Sequence, residues 1–327
     1  MALVPTASDS KSVLSDQENR SQPRQPTNLQ GLLRFSMDVC KSEEAPHEFL
    51  YNMDEEKKKF LEGALSSMTL NVVEVLQKQI KLLRGIERMK DDDLSGYLNA
   101  LDIILDYVDN LDTANDFHKI GGFLILNPCL RCRDGKIRAT TCELIGVLSQ
   151  NNPYCQNVMI QNGFVTTLLG IIEKDLDVQV IVKAILALGG IIRENKEGIS
   201  DFLQHEGLRT LHESLRVKND NVIIKICFLL SSLCRSRAQL KGDMVKLGYV
   251  DQLLKLLVTE RCSYHEHVLS LLVTLLENNK EAVKECEKFN YNVKDVLQRY
   301  MQGIRNKDCL DEEEYCRQIL HMINAER

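Results

Sequence analysis

The sequence predicts an all-α solenoid, a stack of similar helical units, because one pattern recurs along this chain of 327 residues. A glycine followed by apolar residues occurs four times, at spacings of 41 to 44 residues, at Gly122, Gly163, Gly207 and Gly248. Long apolar stretches with helical periodicity separate these glycines, and all six prolines lie at or before Pro153. Uninterrupted helices joined by short turns account for both observations.

A period of roughly 40–47 residues is typical of armadillo and HEAT repeats. The most apolar helix of each unit is predicted at residues 138–150, 178–193, 222–235 and 265–277. A helix that is apolar on nearly every side packs between neighbours, which is the role of the third helix in an armadillo repeat. We therefore expect an armadillo-like, right-handed superhelical solenoid whose concave surface binds other proteins.

The segments outside the repeats have other patterns. Residues 1–27 are rich in Ser, Gln, Asn and Pro and are predicted to be a disordered tail. Residues 28–53 are predicted to hold a short amphipathic helix and a linker, and residues 54–117 are predicted to form amino-terminal capping helices. The armadillo repeats are assigned to residues 118–290, and the more charged residues 291–327 to carboxy-terminal capping helices.

Composition narrows the classes of function. A net charge of −6 does not suit a general nucleic-acid binder, which needs a concentrated Lys/Arg surface. The chain begins without a basic segment and apolar run typical of export, and no apolar stretch reaches the ~20 residues that cross a bilayer. We expect a cytoplasmic protein without membrane contact, with access to the nucleus left open. Its eleven cysteines are then reduced thiols.

No constellation of residues predicts catalysis or a metal site. His265-Glu266-His267 lacks the second histidine four residues after the first that a zinc protease needs, and Cys129 with Cys132 lacks a second matching pair. Phosphate-binding loops and nucleophile elbows are also missing from the sequence. We therefore predict a protein that is not an enzyme and that needs no cofactor.

Four cations recur at matching places of the third helices. Lys183 and Lys225 are 42 residues apart, and so are Arg193 and Arg235. Matching positions in successive units project from similar places, so these residues could form a basic ladder along the concave surface. A solvated cationic face without a partner is the alternative, and the sequence leaves it open.

Several phrases also match a known family, in order and spacing. They are Asn28–Leu33, Asp109–Phe117, Leu144–Gly146 with Ser149–Asn151, Val182–Ala184 leading to Ile192–Glu194, and His265–Leu269. With these phrases the chain resembles the cytosolic armadillo-type nucleotide exchange factors of the 70-kDa heat-shock chaperone, the heat-shock-70-binding protein family. The likeness covers roughly residues 28–320.

The resemblance implies a monomeric co-chaperone whose concave surface embraces one lobe of the chaperone's nucleotide-binding domain and promotes the release of ADP and of the client polypeptide. It implies that the chaperone is bound by Ala114, Asn115, Arg138, Asn151, Lys183, Arg193, Glu194, Lys225, Arg235, His265, Glu266 and His267. It also implies that Leu32, Leu33 and Phe35 occupy the client-binding site of the chaperone. For the phrase around Ala114, helix capping and contact with the chaperone are compatible.

A second class of function is an armadillo peptide-binding adaptor of the nuclear-import or junctional type. Import receptors of this type bind basic peptides with rows of Trp and Asn side chains. This chain contains no Trp. The sequence therefore favours the exchange factor over the adaptor.

Overall fold

The computed structural model describes residues 71–88, 94–217, 219–288, 292–303 and 310–325. The predicted tail at 1–27, the short helix and linker at 28–53, and the first predicted capping helix, up to Met68, lie outside these residues. All described helices belong to one compact unit, Val72–Arg327. Within the described residues there is no strand, and no helix is long and apolar enough to cross a membrane.

Two helices precede a regular series of helix triplets. They are α1 (Val72–Leu83) and α2 (Leu94–Val108), with a short 3-10 turn at Ile86–Arg88 between them. The first triplet is α3 (Leu111–Lys119), a 3-10 turn (Gly122–Ile125) continuing into α4 (Leu126–Leu130), and α5 (Gly135–Ser149). The second triplet is α6 (Pro153–Gln161), α7 (Phe164–Lys174) and α8 (Val178–Ile192).

The same order continues to the end of the described chain. The third triplet is α9 (Lys196–Gln204), α10 (Gly207–Ser214) and α11 (Asp220–Ser236). The fourth is α12 (Gln239–Lys246), α13 (Tyr249–Leu257) and α14 (His265–Leu276). Helices α15 (Lys280–Lys288), α16 (Val293–Gly303) and α17 (Leu310–Ala325) follow in the same order. The four most apolar helices predicted from the sequence correspond to α5, α8, α11 and α14.

The third helices of the triplets form the spine of the stack. Helix α2 packs on α5, α5 on α8, α8 on α11, α11 on α14 and α14 on α17. Their most buried positions are aliphatic, as in α8, where Val180, Ala184, Leu188 and Ile191 have no exposed surface. Burial of such side chains is the main stabilising term of the fold, at about 1.5–3 kcal/mol for each large aliphatic residue.

Asparagine caps recur at the start of the first helices. Asn110, Asn152 and Asn195 each accept hydrogen bonds from backbone N–H groups in the first turn of α3, α6 and α9. The caps are 42 and 43 residues apart. A helix leaves its first N–H groups without partners inside the helix, and an Asn cap satisfies them. The phrase 109–116 is therefore confirmed as a turn with an N-cap.

The turn between the first and second helix of each unit contains one residue in the left-handed region. The left-handed residue of this turn is Gly121, Gly163, Glu206 and Gly248 in successive units, with φ between 55° and 85°. Of the four recurring glycines, Gly163 and Gly248 occupy this left-handed position, which favours glycine. Gly122 and Gly207 come one residue later and are small for another reason.

Gly122 and Gly207 leave room for an aromatic ring. A Cβ atom at Gly122 would lie 2.5 Å from the ring of Phe117, and one at Gly207 would lie 2.1 Å from the ring of Phe202. Both rings are fully buried. In the second and fourth units the aromatic ring is on the other helix. A methionine stands at the position of each phenylalanine, and an aromatic residue stands at the position of each glycine. The pairs are Phe117 with Gly122, Met159 with Phe164, Phe202 with Gly207, and Met244 with Tyr249.

A bidentate ion pair ties α5 to the turn before α8. The Arg138 guanidinium donates to both carboxylate oxygens of Asp175 at 2.7 and 2.8 Å, and also to the carbonyl oxygens of Cys132 and Arg133. The side chains of Arg138 and Asp175 are only 17% and 8% exposed. Burial disfavours the ionised carboxyl, but the hydrogen bonds and charge of Arg138 and the backbone N–H groups of Asp177 and Leu176 together outweigh it and lower the pKa of Asp175 below its usual value.

A second polar cluster joins the fourth triplet to α16 and α17. The Arg261 guanidinium donates to both carboxylate oxygens of Glu312, at 2.6 and 3.2 Å, and the Tyr300 hydroxyl donates to the same carboxylate. Glu312 is buried, which opposes its ionisation, but these two donors lower its pKa. The cluster stabilises the carboxy-terminal end of the stack only while Glu312 is ionised.

We predict that Gly207→Ala destabilises the protein by about 1–3 kcal/mol, because the new methyl group overlaps the Phe202 ring. Gly242→Ala in α12 is the matched control, since its methyl group would meet no atom within 4 Å. The control is expected to be neutral or to stabilise by about 0.5–1 kcal/mol, because alanine favours helix. Urea unfolding followed by circular dichroism measures both. Equal stability of the two variants would refute the packing argument.

We predict that Asp175→Asn costs about 2 kcal/mol at neutral pH, because it removes a charged acceptor from the part-buried Arg138. The pKa of Asp175 is lowered by folding, so its contribution is complete above its ordinary pKa of 3.8 and is lost as the pH falls through the folded-state value. The difference between wild type and variant should therefore shrink on acidification. Unfolding curves at pH 7 and pH 3 test this, with the exposed Asp251→Asn as control. A difference independent of pH would contradict it.

Candidate protein-binding surface

Helices α8 and α11 present the same row of exposed residues at the same register. Positions 1, 5, 8, 12 and 15 of such a row lie on one side of a helix. The row on α8 is Gln179, Lys183, Leu186, Gly190 and Arg193, and the row on α11 is Asn221, Lys225, Phe228, Ser232 and Arg235. Each residue of the second row is 42 residues after its counterpart, and the two rows alternate identically between exposed and half-buried. We call these ten residues the third-helix face.

The predicted basic ladder lies on this face, with different surroundings for each cation. The Lys183 ammonium is 2.7 Å from Glu143 of α5, so part of its charge is neutralised within the protein. Lys225 and Arg235 make no ion pair with any residue that the structure describes. Their charges are therefore available to a partner.

The face also carries two exposed apolar side chains. Leu186 is 44% exposed and Phe228 is 53% exposed. The Arg193 guanidinium lies over the Phe228 ring, 5.7 Å from its centre, which links the rows of α8 and α11 by a cation–π contact. The exposure of both residues was not predicted, because they fall in apolar helices that the sequence predicts to pack between neighbours. The signal that could have revealed them is their spacing of 42 residues, the same as that of the flanking cations.

The basic character is confined to the middle of the stack. The corresponding row of α5 is Lys136, Thr140, Glu143, Val147 and Gln150, and the row of α14 includes His267, Ser270, Thr274 and Glu277. On α2, the matching positions hold Asp102, Asp106 and Asp109, all exposed. A partner therefore meets acidic side chains at α2 and a basic, apolar surface at α8 and α11.

A cleft of about 260 Å³ lies where the carboxy-terminal ends of α5 and α8 meet. Among the residues that line it are Asn151, Gln156, Arg193 and Glu194. The Gln156 amide crosses between the helices by donating to the carbonyl oxygens of Ser149 and Gly190, at 3.0 and 2.9 Å. Helices α5 and α8 can approach closely here because Gly190 has no Cβ atom. Such an atom would lie 2.5 Å from the Ser149 hydroxyl oxygen.

Asn151 and Glu194 share an uncommon backbone conformation at the edge of this cleft. Their φ angles are 53° and 60°, and both side chains are exposed. Asparagine adopts this left-handed region readily, whereas glutamate does so at some cost. Both residues lie beside Arg193, so they border the third-helix face.

Three predicted contact residues interact within the fold instead. Ala114 is 2% exposed and packs in the core, so its side chain offers no surface to a partner. Arg138 is committed to the ion pair with Asp175. Asn115 is half-buried, and its side-chain oxygen accepts a hydrogen bond from Asn152 at 3.1 Å, next to the Cys155 thiol. The helix start that was predicted to contact the chaperone is thus mainly used in packing α3 against α6.

His265 is a further correction. We expected it to face the groove, but it is fully buried. One ring nitrogen contacts the Leu256 carbonyl oxygen at 3.0 Å and the other lies 3.4 Å from the Cys262 N–H, and the ring packs against Tyr264 and Tyr300. Burial lowers its pKa, which the bond to Leu256 only partly opposes. Its neighbours Glu266 and His267 remain half-buried at the surface.

Leu32, Leu33 and Phe35 lie outside the described residues. Cys129 is buried, which raises the pKa of its thiol to about 12, and Cys132 is half-buried. No group of three or more His, Cys, Asp or Glu side chains within the described part of the chain is arranged to hold a metal ion.

Comparison with solved structures tests the fold. A designed armadillo repeat protein, YIII(Dq)4CqI, aligns with 76% of this chain and 100% of its own, at a TM-score of 0.59 and 16% sequence identity. Computationally designed armadillo repeat proteins for modular peptide recognition align to the same extent, at a TM-score of 0.60 and 16% identity. The predicted all-α, armadillo-like solenoid is confirmed.

Comparison of sequences tests the family. Hsp70-binding protein 1 of Homo sapiens is 29% identical over 308 residues, which cover 91% of this chain and 85% of that protein. The protein of the same name from Mus musculus is 28% identical over 310 residues, covering 91% and 86%. The Hsp70 nucleotide exchange factor FES1 of Candida glabrata is 27% identical over 235 residues, covering 68% and 77%.

The matched domain contains the whole third-helix face. Residues 113–241 match the family model described as the SIL1/FES1/HPBP1 C-terminal domain, and this range includes α8 and α11. The resemblance predicted from the sequence is confirmed, because residues 113–241 are similar to this domain and most of the chain is similar to Hsp70-binding protein 1.

Proposed function

We propose that this protein is a non-catalytic co-chaperone that binds the nucleotide-binding domain of a 70-kDa heat-shock chaperone through its third-helix face and promotes the release of ADP. The names of its relatives, Hsp70-binding protein 1 and Hsp70 nucleotide exchange factor, support the partner and the activity. The observation that carries the choice of surface is the repeated row on α8 and α11, inside the matched domain. Its cytoplasmic location and monomeric state stay predictions.

The mechanism follows from linkage between two binding equilibria. A ligand shifts a conformational equilibrium only by the difference between its affinities for the two states. If the third-helix face binds the open form of the nucleotide-binding domain more tightly, ADP affinity must fall by the same factor. The exchange factor then needs no contact with the nucleotide. ADP leaves, ATP enters, and the chaperone releases its client.

Two features of the face suit this task. Lys225 and Arg235 supply cations without internal partners among the described residues, which attract and orient an acidic surface. Close packing of α5, α8 and α11 holds these side chains on a rigid support. A rigid support is needed because a surface that adapted equally to both forms of the chaperone would not favour either of them.

The alternative, a peptide-binding adaptor, receives no support from this face. A structural neighbour is a designed armadillo repeat protein in complex with the peptide (KR)4. In the present chain the middle of the corresponding surface carries Lys183, Arg193, Lys225 and Arg235. Like charges across an interface are repulsive, so a basic peptide is an unsuitable ligand.

We predict that the protein accelerates ADP release from a 70-kDa heat-shock chaperone. Labelled ADP is loaded on the chaperone, excess unlabelled ATP is added, and loss of the label is timed by stopped flow. Typical coupling free energies weaken the affinity of the second ligand by about 5–150-fold, so an acceleration on the order of tenfold is expected. No acceleration at a saturating concentration of the protein would refute the proposed activity.

We predict that Lys225→Glu weakens binding to the chaperone by roughly fivefold at low salt, and by less as salt rises, because it reverses a charge on the third-helix face. Lys246→Glu is the matched control, since it makes the same change at an exposed lysine of the first helix α12. Binding is measured by biolayer interferometry at 50 and 300 mM salt. If the two variants bind alike, Lys225 does not contact the chaperone.

A further inference from the structure

Phe228 is the unusual residue of the third-helix face. Every other phenylalanine that the structure describes is buried, whereas Phe228 is 53% exposed. Exposing a large apolar ring to water is unfavourable, and a ring held at the centre of a polar surface is a common anchor of protein–protein interfaces. The position is surrounded by charges, with Lys225 one turn before it and Arg235 two turns after it on the same side of α11.

The ring is held in place before any partner binds. The Arg193 guanidinium of the neighbouring helix α8 lies 5.7 Å from the ring centre. A cation–π contact of this kind restricts the rotamers of both side chains, so less conformational entropy is lost on binding. Leu186, the counterpart of Phe228 on α8, is 44% exposed and adds apolar surface beside the contact.

We propose that Phe228 is the apolar anchor of the contact with the chaperone and that Arg193 is its positioning residue. The inference rests on the proposed function, and it specifies the kind of chaperone surface that Phe228 would contact. The complementary surface is an apolar depression that receives the ring, bordered by carboxylates that face Lys225 and Arg235. Cations alone would attract any acidic surface, whereas the ring selects an acidic surface with a depression at its centre.

Charge argues against other occupants of this surface. A second copy of the chain would place Arg193, Lys225 and Arg235 against the same cations across a two-fold axis. A basic peptide meets the same repulsion. An acidic partner with an apolar centre matches both the charge and the exposed ring.

The test compares two truncations of exposed apolar side chains. Phe228→Ala removes the proposed anchor, and Leu176→Ala removes a leucine that is 97% exposed in the turn before α8, outside the face. Neither side chain supports the core, so both variants are expected to unfold at the wild-type temperature. Affinity for the ADP-bound and nucleotide-free chaperone is measured by titration calorimetry, and ADP release by stopped flow.

Phe228→Ala is expected to weaken binding by about 30-fold, as truncation of an interface anchor does, while Leu176→Ala binds like wild type. Phe228→Leu should recover part of the loss. The salt dependence of binding should be unchanged in Phe228→Ala, because no charge is removed, and should fall in Lys225→Glu. Binding of Phe228→Ala within twofold of wild type, or equal losses in both alanine variants, would overturn the proposal.

A double-mutant cycle tests the role of Arg193. Arg193→Gln removes both the charge and the cation–π contact, and the same change in the Phe228→Ala background removes the charge alone. If Arg193 positions the ring, Arg193→Gln weakens binding more when Phe228 is present than in the Phe228→Ala background. Equal losses of affinity in the two backgrounds would overturn the positioning role. A wild-type protein that binds the chaperone without accelerating ADP release would remove the proposed activity, while the affinities of the variants would still decide on the anchor.

Discussion

The stack depends on a packing constraint at the joint between the first and second helix of each unit, where there is room for one large ring. Phe117 and Phe202 supply the ring from the first helix and face Gly122 and Gly207, whereas Phe164 and Tyr249 supply it from the second helix, in units that have a methionine at the position of the phenylalanine. Either helix can therefore supply the ring, and a glycine is needed on the second helix where the first helix supplies a phenylalanine. Protein interiors are close-packed, so each joint is filled by its own combination of side chains.

The third helices α8 and α11 share one register, and this register is what gives the protein a usable surface. Because each unit advances the chain by 42 or 43 residues, Lys183 and Lys225, Leu186 and Phe228, and Arg193 and Arg235 fall on matching sides of α8 and α11. Inner polar bonds, such as those of the Gln156 amide to α5 and α8, fix the helices further. The charge of the face can then vary from unit to unit without changing the scaffold, from acidic at α2 to basic at α11.

Much of this architecture was predictable because periodicity is a local signal. The sequence located α5, α8, α11 and α14 and the matching cations of α8 and α11. It could not distinguish which polar residue of a helix turns inward, because that depends on neighbours distant in sequence. The Leu256 carbonyl and two tyrosines enclose the His265 ring. Arg138 forms its ion pair with Asp175, which lies 37 residues later in the chain. Exposure of Phe228 was missed because an apolar residue in an apolar helix is assigned to the core by default.

These differences change which residues can do the binding. With Ala114, Arg138 and His265 used inside the fold, the free surface narrows to the rows of α8 and α11 and their borders at Asn151 and Glu194. A narrow, rigid surface suits an exchange factor better than a long adaptable one. Promotion of ADP release requires that one form of the chaperone fit better than the other, and only a surface that does not follow the partner's motion can keep that difference. The packing that stabilises the fold is thus also what would allow it to act on its partner.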